Sequence, residues 1–515
     1  MSILFHDREE DAGLSTANIR PAFSPARSWL NKFLNLASSV DHLNLHMGNQ
    51  RSLVRTLGLG YVIIFVIANI IGSGVYKKIA PMATELQSSV WILMVWIVGG
   101  IITLFGALSN AEVAGLLADT GGDFVYLKKI YNRFFSFLYG WSLFAVIQTA
   151  TISSLAYVFT QSLNSIIPIP DVFSSLQHVT IGGIFYPFQD FGIKLTAILL
   201  IMGLTSVNIA GLKSGAGVSR VIMFLVFAGL LLIIVFGLSS GGPRPENFLD
   251  VRDLTNKTVT LSSFYTAILA AFWAYQGWVS VGFIGGEVKD PTRNIPKGIA
   301  VGVLVVIVIY VLVNVTYLSV LSIPDLTRVD AAGNQIAAVE AVRSFWGTSG
   351  VLFISLLILV TTMGCTNASI LTGARPYYAM ARERLFFPAI GRLNRHNVPS
   401  NSLLWQGIWA SVLVLSGTFD QLTDMVIFAV YIFYGATTLG VFILRRRMPD
   451  AHRPYKVWGY PFVPAIFIIF CVGLFFNTII TRPREAAIGL TLILSGIPVY
   501  FFMKRKYSKT DDEQD

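Results

Sequence analysis

Seven residues in the first long apolar run, Ile70-Ile71-Gly72-Ser73-Gly74-Val75-Tyr76, have the types and spacing to bind an anion through the backbone. Two glycines around a serine are a place for a helix to unwind. If a helix stops near Ile71 and restarts near Val75, the second half presents free N–H groups and a positive dipole end, which suit a carboxylate. The same small residues would also let two helices pack closely, as in small-xxx-small interfaces. A second stretch has the same character: Trp273-Ala274-Tyr275-Gln276-Gly277-Trp278 puts glycine and polar residues inside another apolar run. Covalent chemistry is poorly supplied. Cys365 and Cys471 both lie inside apolar runs, and His6, His42, His46, His178, His396 and His452 all fall in tails or loops. No buried histidine or carboxylate pair offers a nucleophile with a base, so an enzyme, a metal and a cofactor are not expected.

The elements that position these residues are membrane spans. The chain is 54% hydrophobic and 13% charged, against about 25% charged in a soluble domain. This composition predicts an all-α polytopic membrane protein. Runs near the roughly 20 residues needed to cross a bilayer number about twelve: 57–80, 88–117, 135–166, 191–211, 215–239, 262–285, 298–322, 348–377, 402–418, 422–444, 460–480 and 485–503. Non-helical backbone at membrane depth survives only where it is buried or lines a cavity. The two interrupted runs each open a block of five spans, which points to an inverted repeat with a binding site between the halves.

The organisation expected is a cytoplasmic tail over 1–56, five-helix repeats over 57–240 and 262–446, two further helices within 458–503, and a cytoplasmic tail over 504–515. Basic residues gather in alternate loops: Lys128, Lys129 and Arg133; Lys289, Arg293 and Lys297; Arg445, Arg446 and Arg447; Lys504, Arg505 and Lys506. By the positive-inside rule those loops and both termini are cytoplasmic, and the net charge of +10 is read as topology rather than as a nucleic-acid surface. Lys77, Lys78, Arg244 and Arg252 are minority charges on the other side. The first tail has a weakly amphipathic patch around Trp29, Leu30, Phe33 and Leu34, and Met47 stands about ten residues before the first span as an alternative start. Glu112 lies near a membrane end, where it reaches water or an arginine, or marks an ion route. The eighth run bears Thr361-Thr362-Met363-Gly364-Cys365-Thr366-Asn367-Ala368-Ser369, polar enough to face the bundle interior. Ala337 to Phe345 reads as an amphipathic piece lying across the outer face.

These stretches together resemble a known family. Asn69 to Tyr76, Gly106 to Tyr126, Trp273 to Ile299, Met363 to Arg382 with Val398-Pro399-Ser400, and Leu444 to Pro449 with Arg453 to Val457 are similar to the amino acid–polyamine–organocation superfamily, in its L-type amino acid transporter branch and bacterial relatives. The resemblance implies a LeuT-like five-plus-five inverted repeat followed by two extra helices, in the plasma (inner) membrane. It implies a substrate carboxylate on the amides of Ser73 and Gly74, an α-amine held by carbonyls at Ile70, Trp273 and Gln276, and Trp273 as the aromatic gate. That arrangement agrees with the dipole reading, because a zwitterion needs both a helix N-terminus and exposed C-terminal carbonyls. Three departures matter. Many relatives have a lysine in the fifth span where Val226 stands here, so a coupling ion, H+ or Na+, stays open, with Ile71 and Ser369 as a cation site. Gln276 replaces a small residue and either bonds the substrate or satisfies unwound backbone. Loop 167–190 lacks the cysteine that joins animal relatives to a glycoprotein, so no disulfide-linked heavy subunit is expected.

Neither interrupted stretch carries a carboxylate to offset a cationic side chain, which favours neutral α-amino acids. The alternatives are a cationic amino acid or polyamine transporter of the same superfamily, or an amino-acid-binding membrane sensor. Tyr431, Tyr434, Gln148 and Thr149 are candidates for the side-chain end of the site, although aromatic residues at helical spacing also simply pack. Alternating access is expected, with Trp273 closing over the substrate. Gly74→Leu is expected to abolish binding in a folded protein.

Overall fold

The apolar runs become helices. The computed structural model describes residues 57–117, 122–182, 185–211, 216–239, 248, 258–281, 288–396 and 398–512, with backbone alone at 216–223 and 507–512. The expectations for the tail before residue 57, including Trp29, Leu30, Phe33, Leu34 and Met47, and those for Arg244, Arg252 and Glu287, lie outside the described residues. In chain order the helices are α1 (Leu59–Ile70), α2 (Gly74–Lys77), α3 (Ile79–Leu86), α4 (Ser89–Leu117), α5 (Gly122–Ile130), α6 (Arg133–Asn164), α7 (Phe191–Ile209), α8 (Ala216–Ser239), α9 (Leu261–Tyr275), α10 (Pro291–Val320), α11 (Ile323–Ala332), α12 (Ala337–Arg382), α13 (Ser400–Ser416), α14 (Phe419–Arg447), α15 (Phe462–Thr481) and α16 (Pro483–Lys506).

Among the described residues eight of these, α4, α6, α7, α10, α12, α14, α15 and α16, are long and apolar enough to cross a membrane. Of the other expected runs, 215–239 holds the 24-residue α8, whose side chains are described from residue 224 on, and 402–418 holds the 17-residue α13. The run 57–80 holds α1, α2 and α3 instead of one continuous helix, and among its described residues the run from 262 holds the 15-residue α9 followed by a break at Gln276 and Gly277. The run 348–377 lies inside the longer α12, which kinks at Gly347 (φ 60°, ψ −145°). A positive φ at ψ near −145° is open to glycine and little else. The kink separates Ala337 to Trp346 from the rest, so the amphipathic piece expected there is a helical segment of its own.

α6 and α14 form the middle of the bundle, with 72% and 67% of their apolar windows enclosed, whereas α15 and α16, at 33% and 28%, are its perimeter. α6 packs on α12, α7 and α14; α10 packs on α4 and on α1. Close approach of α10 to α1 needs glycine, since a Cβ at Gly298 or Gly302 would meet Val62 or Val66 within 2.4 or 2.7 Å. A parallel bridge pairs Leu57 with Val288, where the Lys289 amide donates to the Leu57 carbonyl at 2.8 Å. It ties the entry to α1 to the chain that follows α9.

Glu112, on α4, is 3% exposed. Its carboxylate accepts both Arg445 guanidinium donors, at 2.8 and 2.7 Å, and the Val457 amide at 2.6 Å, with Arg453 at 3.6 Å. Of the sequence alternatives, the arginine partner is the one the structure holds. The site binds α4 to the end of α14 and to the segment before α15. Removing one partner of a buried ion pair leaves an uncompensated charge, typically costing about 3–5 kcal/mol. Glu112→Ala should therefore lower the unfolding midpoint in detergent markedly, and a double mutant with Arg445→Ala should lose less than the sum of the two singles. Additive losses, followed by thermal unfolding of the purified variants, would show that the pair is not coupled.

Candidate functional site

The two interrupted helices meet at their interruptions. α1 ends at Ile70, and Ile71 turns extended (φ −72°, ψ 104°). Helix resumes at Gly74 and runs on through Lys78 into α3. The first amides of a helix have no intrahelical carbonyl, and Ser73 and Gly74 stand at that position in α2. α9 ends at Tyr275, Gln276 is extended (φ −68°, ψ 149°), and Gly277 has φ +124°. No residue with a Cβ takes that conformation comfortably.

Each break is fitted to the other through a glycine. A Cβ on Gly74 would lie 2.5 Å from the Cα of Ala274, and one on Gly277 would lie 2.1 Å from the Asn69 carbonyl oxygen. The Tyr310 hydroxyl of α10 stands between the two freed helix ends, 3.1 Å from the Ile70 carbonyl and 2.9 Å from the Ala274 carbonyl. Its single proton serves one of them at a time, which leaves acceptor capacity in the pair. The Tyr310 ring packs edge-on to Trp96 at 5.3 Å and against Tyr275 at 5.1 Å, and the Tyr275 hydroxyl donates to the Trp96 carbonyl at 2.8 Å. The hydroxyl is thus held at the breaks by packing.

Trp273 is 7% exposed and its Nε1–H donates to Ser73 Oγ at 3.2 Å. Its ring meets Phe419 edge-on at 6.0 Å. Behind Phe419 lie two buried lysines. Lys77 donates to Gln161 Oε1 at 2.8 Å and to the Gly333 carbonyl at 3.2 Å; Lys78 donates to Asp420 and Thr423, both at 2.6 Å. Both ammonium groups lie about equally close to the Phe419 ring, at 5.0 and 4.8 Å. Asp424 stands 3.9 Å from Lys78 and 3.7 Å from Arg482, and Arg482 pairs with Glu85 at 2.8 Å. Serine, tryptophan, phenylalanine and this ion network form a continuous stack from the first break outward along α14.

The structure therefore brings Ile70, Ser73, Gly74 and Trp273 together. Gln276 follows directly and lies beside Tyr434, whose ring packs on Trp278 at 4.9 Å. Tyr431 stacks on Phe272 at 4.4 Å, one residue from Trp273, and its ring lies 5.6 Å from that of Tyr434. Gln148 donates to the Ser369 carbonyl at 2.9 Å and so ties α6 to α12, whereas Thr149 donates to the Phe144 carbonyl of its own helix at 2.9 Å. On α12 the residues beside Tyr76 are Thr361 and Cys365, one to two turns before Ser369. Ile71 is buried at the first break. Val226 is buried in α8, within the core.

With this geometry in view, the comparisons with known proteins are informative. Residues 57–503 match the model of the amino acid permease family. The chain belongs to that family. The permease is 31% identical over 462 residues to the serine/threonine exchanger SteT of Bacillus subtilis, covering 88% of this chain and 98% of that protein. It is 27% identical over 456 residues to the mouse b(0,+)-type amino acid transporter 1 (87% and 88% covered), and 27% over 457 residues to the human large neutral amino acids transporter small subunit 2 (88% and 81% covered). It is an amino acid transporter of the amino acid–polyamine–organocation superfamily.

Two features of the permease were not read from sequence. Tyr310 sits in an apolar run, and the only signal was that a phenol inside a membrane seeks a partner for its hydroxyl. Lys77 and Lys78 read in the sequence as outer-side charges, yet they are 4% and 1% exposed; Lys77 donates to Gln161 and Gly333, and the carboxylate partner of Lys78 lies 342 residues along the chain. One expectation changes outright. With Ala274 against Gly74, even a methyl group displaces backbone, so Gly74→Leu would disturb packing as well as binding. Gly74→Ala is the better probe, since overpacking costs about 1–3 kcal/mol. It should reduce both transport and thermal stability, whereas Gly60→Ala, where nothing lies within 4 Å, should change neither. Tyr310→Phe should lower stability by about 1–3 kcal/mol through an unsatisfied buried carbonyl, readable as a shifted unfolding midpoint.

Proposed function

We propose that the permease moves neutral α-amino acids across the plasma membrane by alternating access, through twelve spans built as a five-plus-five inverted repeat with two added helices. The observation that carries this reading is the mutual seating of the two breaks, Gly74 on Ala274 and Gly277 on Asn69. Opposed helix ends at one place suit a zwitterion. In this reading the Ser73 and Gly74 amides take the carboxylate. Carbonyls at Ile70, Trp273 and Gln276 take the amine, with Tyr310 leaving the shared lone pairs free as substrate arrives. Gln276 and Tyr431 border the substrate side chain.

Neutral substrates are favoured because Ile70–Gly74 and Trp273–Gly277 carry no acidic side chain to offset a cationic one. A serine/threonine exchanger and a large neutral amino acids transporter among the relatives agree with it.

Trp273 is the outer gate, backed by Phe419 and the Lys78–Asp420 pair. Both termini are cytoplasmic, on the strength of the basic clusters at Lys128 to Arg133 and Arg445 to Arg447. Lys77 and Lys78 do not weigh against that orientation, being buried and paired. A sodium ion, if one is coupled, would sit near the Ile71 carbonyl and Ser369; no disulfide-linked subunit is needed.

The decisive assay is uptake of labelled amino acids into proteoliposomes with sodium and pH gradients set separately. Serine, threonine and larger neutral amino acids should enter and arginine, lysine and putrescine should not; preferential cationic uptake would refute the substrate class. Gln276→Gly should alter which neutral amino acids compete for uptake. An unchanged competition profile would assign Gln276 to backbone support.

A further inference from the structure

Asp123 is a buried carboxylate that the substrate site does not use. It opens α5, the short helix between the spans α4 and α6, and is 2% exposed. One oxygen accepts from the Asn110 amide of α4 at 2.9 Å. The other, Oδ2, is buried without a hydrogen-bond partner. α5 packs on α4, α6 and α14, and the groups facing Asp123 are accordingly Asn110, the Tyr139 phenol of α6 and the Tyr434 phenol of α14. Its own helix adds Lys128, which pairs with Glu383, and Lys129, which reaches the Leu117 carbonyl. Glu112, also on α4, is committed to Arg445 and Arg453. Among the described residues no cation pairs with Asp123, and Tyr434 is the residue that lies beside Gln276 and on Trp278.

A carboxylate enclosed in this way is costly as an anion and cheap as an acid. We propose that Asp123 is a proton-binding site of the transport cycle, holding a proton on Oδ2 while the region under the second break is closed and releasing it to cytoplasmic water when that region opens. The proposal rests on the transporter reading and its orientation. Only an O–H bond forms and breaks; the closed form takes one proton from water and the open form returns it.

Burial pushes the Asp123 carboxyl up from 3.8 to about 6. The sign follows. In the closed form the acid is retained to higher pH than in an open, hydrated form, so acid favours closure. Between about pH 4 and 6 the closed-to-open ratio falls, by up to roughly 100-fold for a shift of about two units, and above about pH 7 it is flat.

The test is exchange of labelled L-serine, or of whichever neutral amino acid the wild type moves best, in proteoliposomes at symmetrical pH from 4.5 to 7.5. Wild type should change its rate several-fold below pH 6.5 and plateau above 7. Asp123→Asn, fixed in the neutral form, should be flat within twofold, while Asp123→Glu should keep a pH dependence. A wild-type profile in Asp123→Asn, or a flat wild type, would overturn the proposal. Should Asp123→Asn not fold, titration calorimetry of the same amino acid on wild type in two buffers of different ionisation enthalpy decides. Net proton exchange on binding near pH 5.5 supports the site, and none refutes it. Failure of wild type to exchange any amino acid at pH 7.5 would instead count against the transport reading.

Discussion

A helix inside a bilayer can be interrupted only where its released N–H and C=O groups find partners, because lipid supplies none. In this protein that requirement is met twice in the same place. The end of α1 and the end of α9 lie against each other, with Tyr310 between their last carbonyls. The glycines are where they are because the two backbones touch: Gly277 has Asn69 against it, and Gly74 has Ala274. What remains unspent at this junction is directional. The Ser73 and Gly74 amides open α2 at one break, and carbonyls end α1 and α9 at both.

Charge is distributed to match. Two buried ion clusters bracket the breaks along the bundle. One, Lys77, Lys78, Asp420, Asp424, Arg482 and Glu85, stands beyond Trp273 and Phe419. The other, Glu112 with Arg445 and Arg453, binds the far ends of α4 and α14. Both involve α14, and this helix also supplies Phe419, Tyr431 and Tyr434 to the neighbourhood of the site. Each break contains neither acid nor base among its own residues. The middle of the protein is therefore served by dipoles while the formal charges act as fastenings at the two ends. Asp123 departs from this pattern, being a buried acid with no counter-charge among the described residues.

Much of this was legible in the sequence. Gly72-Ser73-Gly74 and Gln276-Gly277 marked where breaks could fall, since glycine inside an apolar run serves either unwinding or close packing. The helices followed from run length, and an arginine partner for Glu112 was one of the alternatives its place near a run's end allowed. What could not be read depends on contacts between distant parts of the chain. Ser73 and Trp273 are separated by 200 positions, Lys78 and Asp420 by 342, and no local pattern links them. Tyr310 resembled any other aromatic in an apolar helix. The tightness of Gly74 on Ala274 was equally hidden, since a glycine for unwinding and a glycine for close approach look alike until the opposing backbone is known. The structure shows that this glycine does both.

The account stands or falls on where an amino acid binds. A structure of the permease in lipid nanodiscs, determined by electron cryo-microscopy with a saturating neutral amino acid, tests it most directly. The carboxylate should lie within hydrogen-bonding distance of the Ser73 and Gly74 amides, the amine near the Ile70 and Trp273 carbonyls, and the Trp273 ring over it. Density for the ligand elsewhere in the bundle, with the two breaks closed on each other and empty, would contradict it.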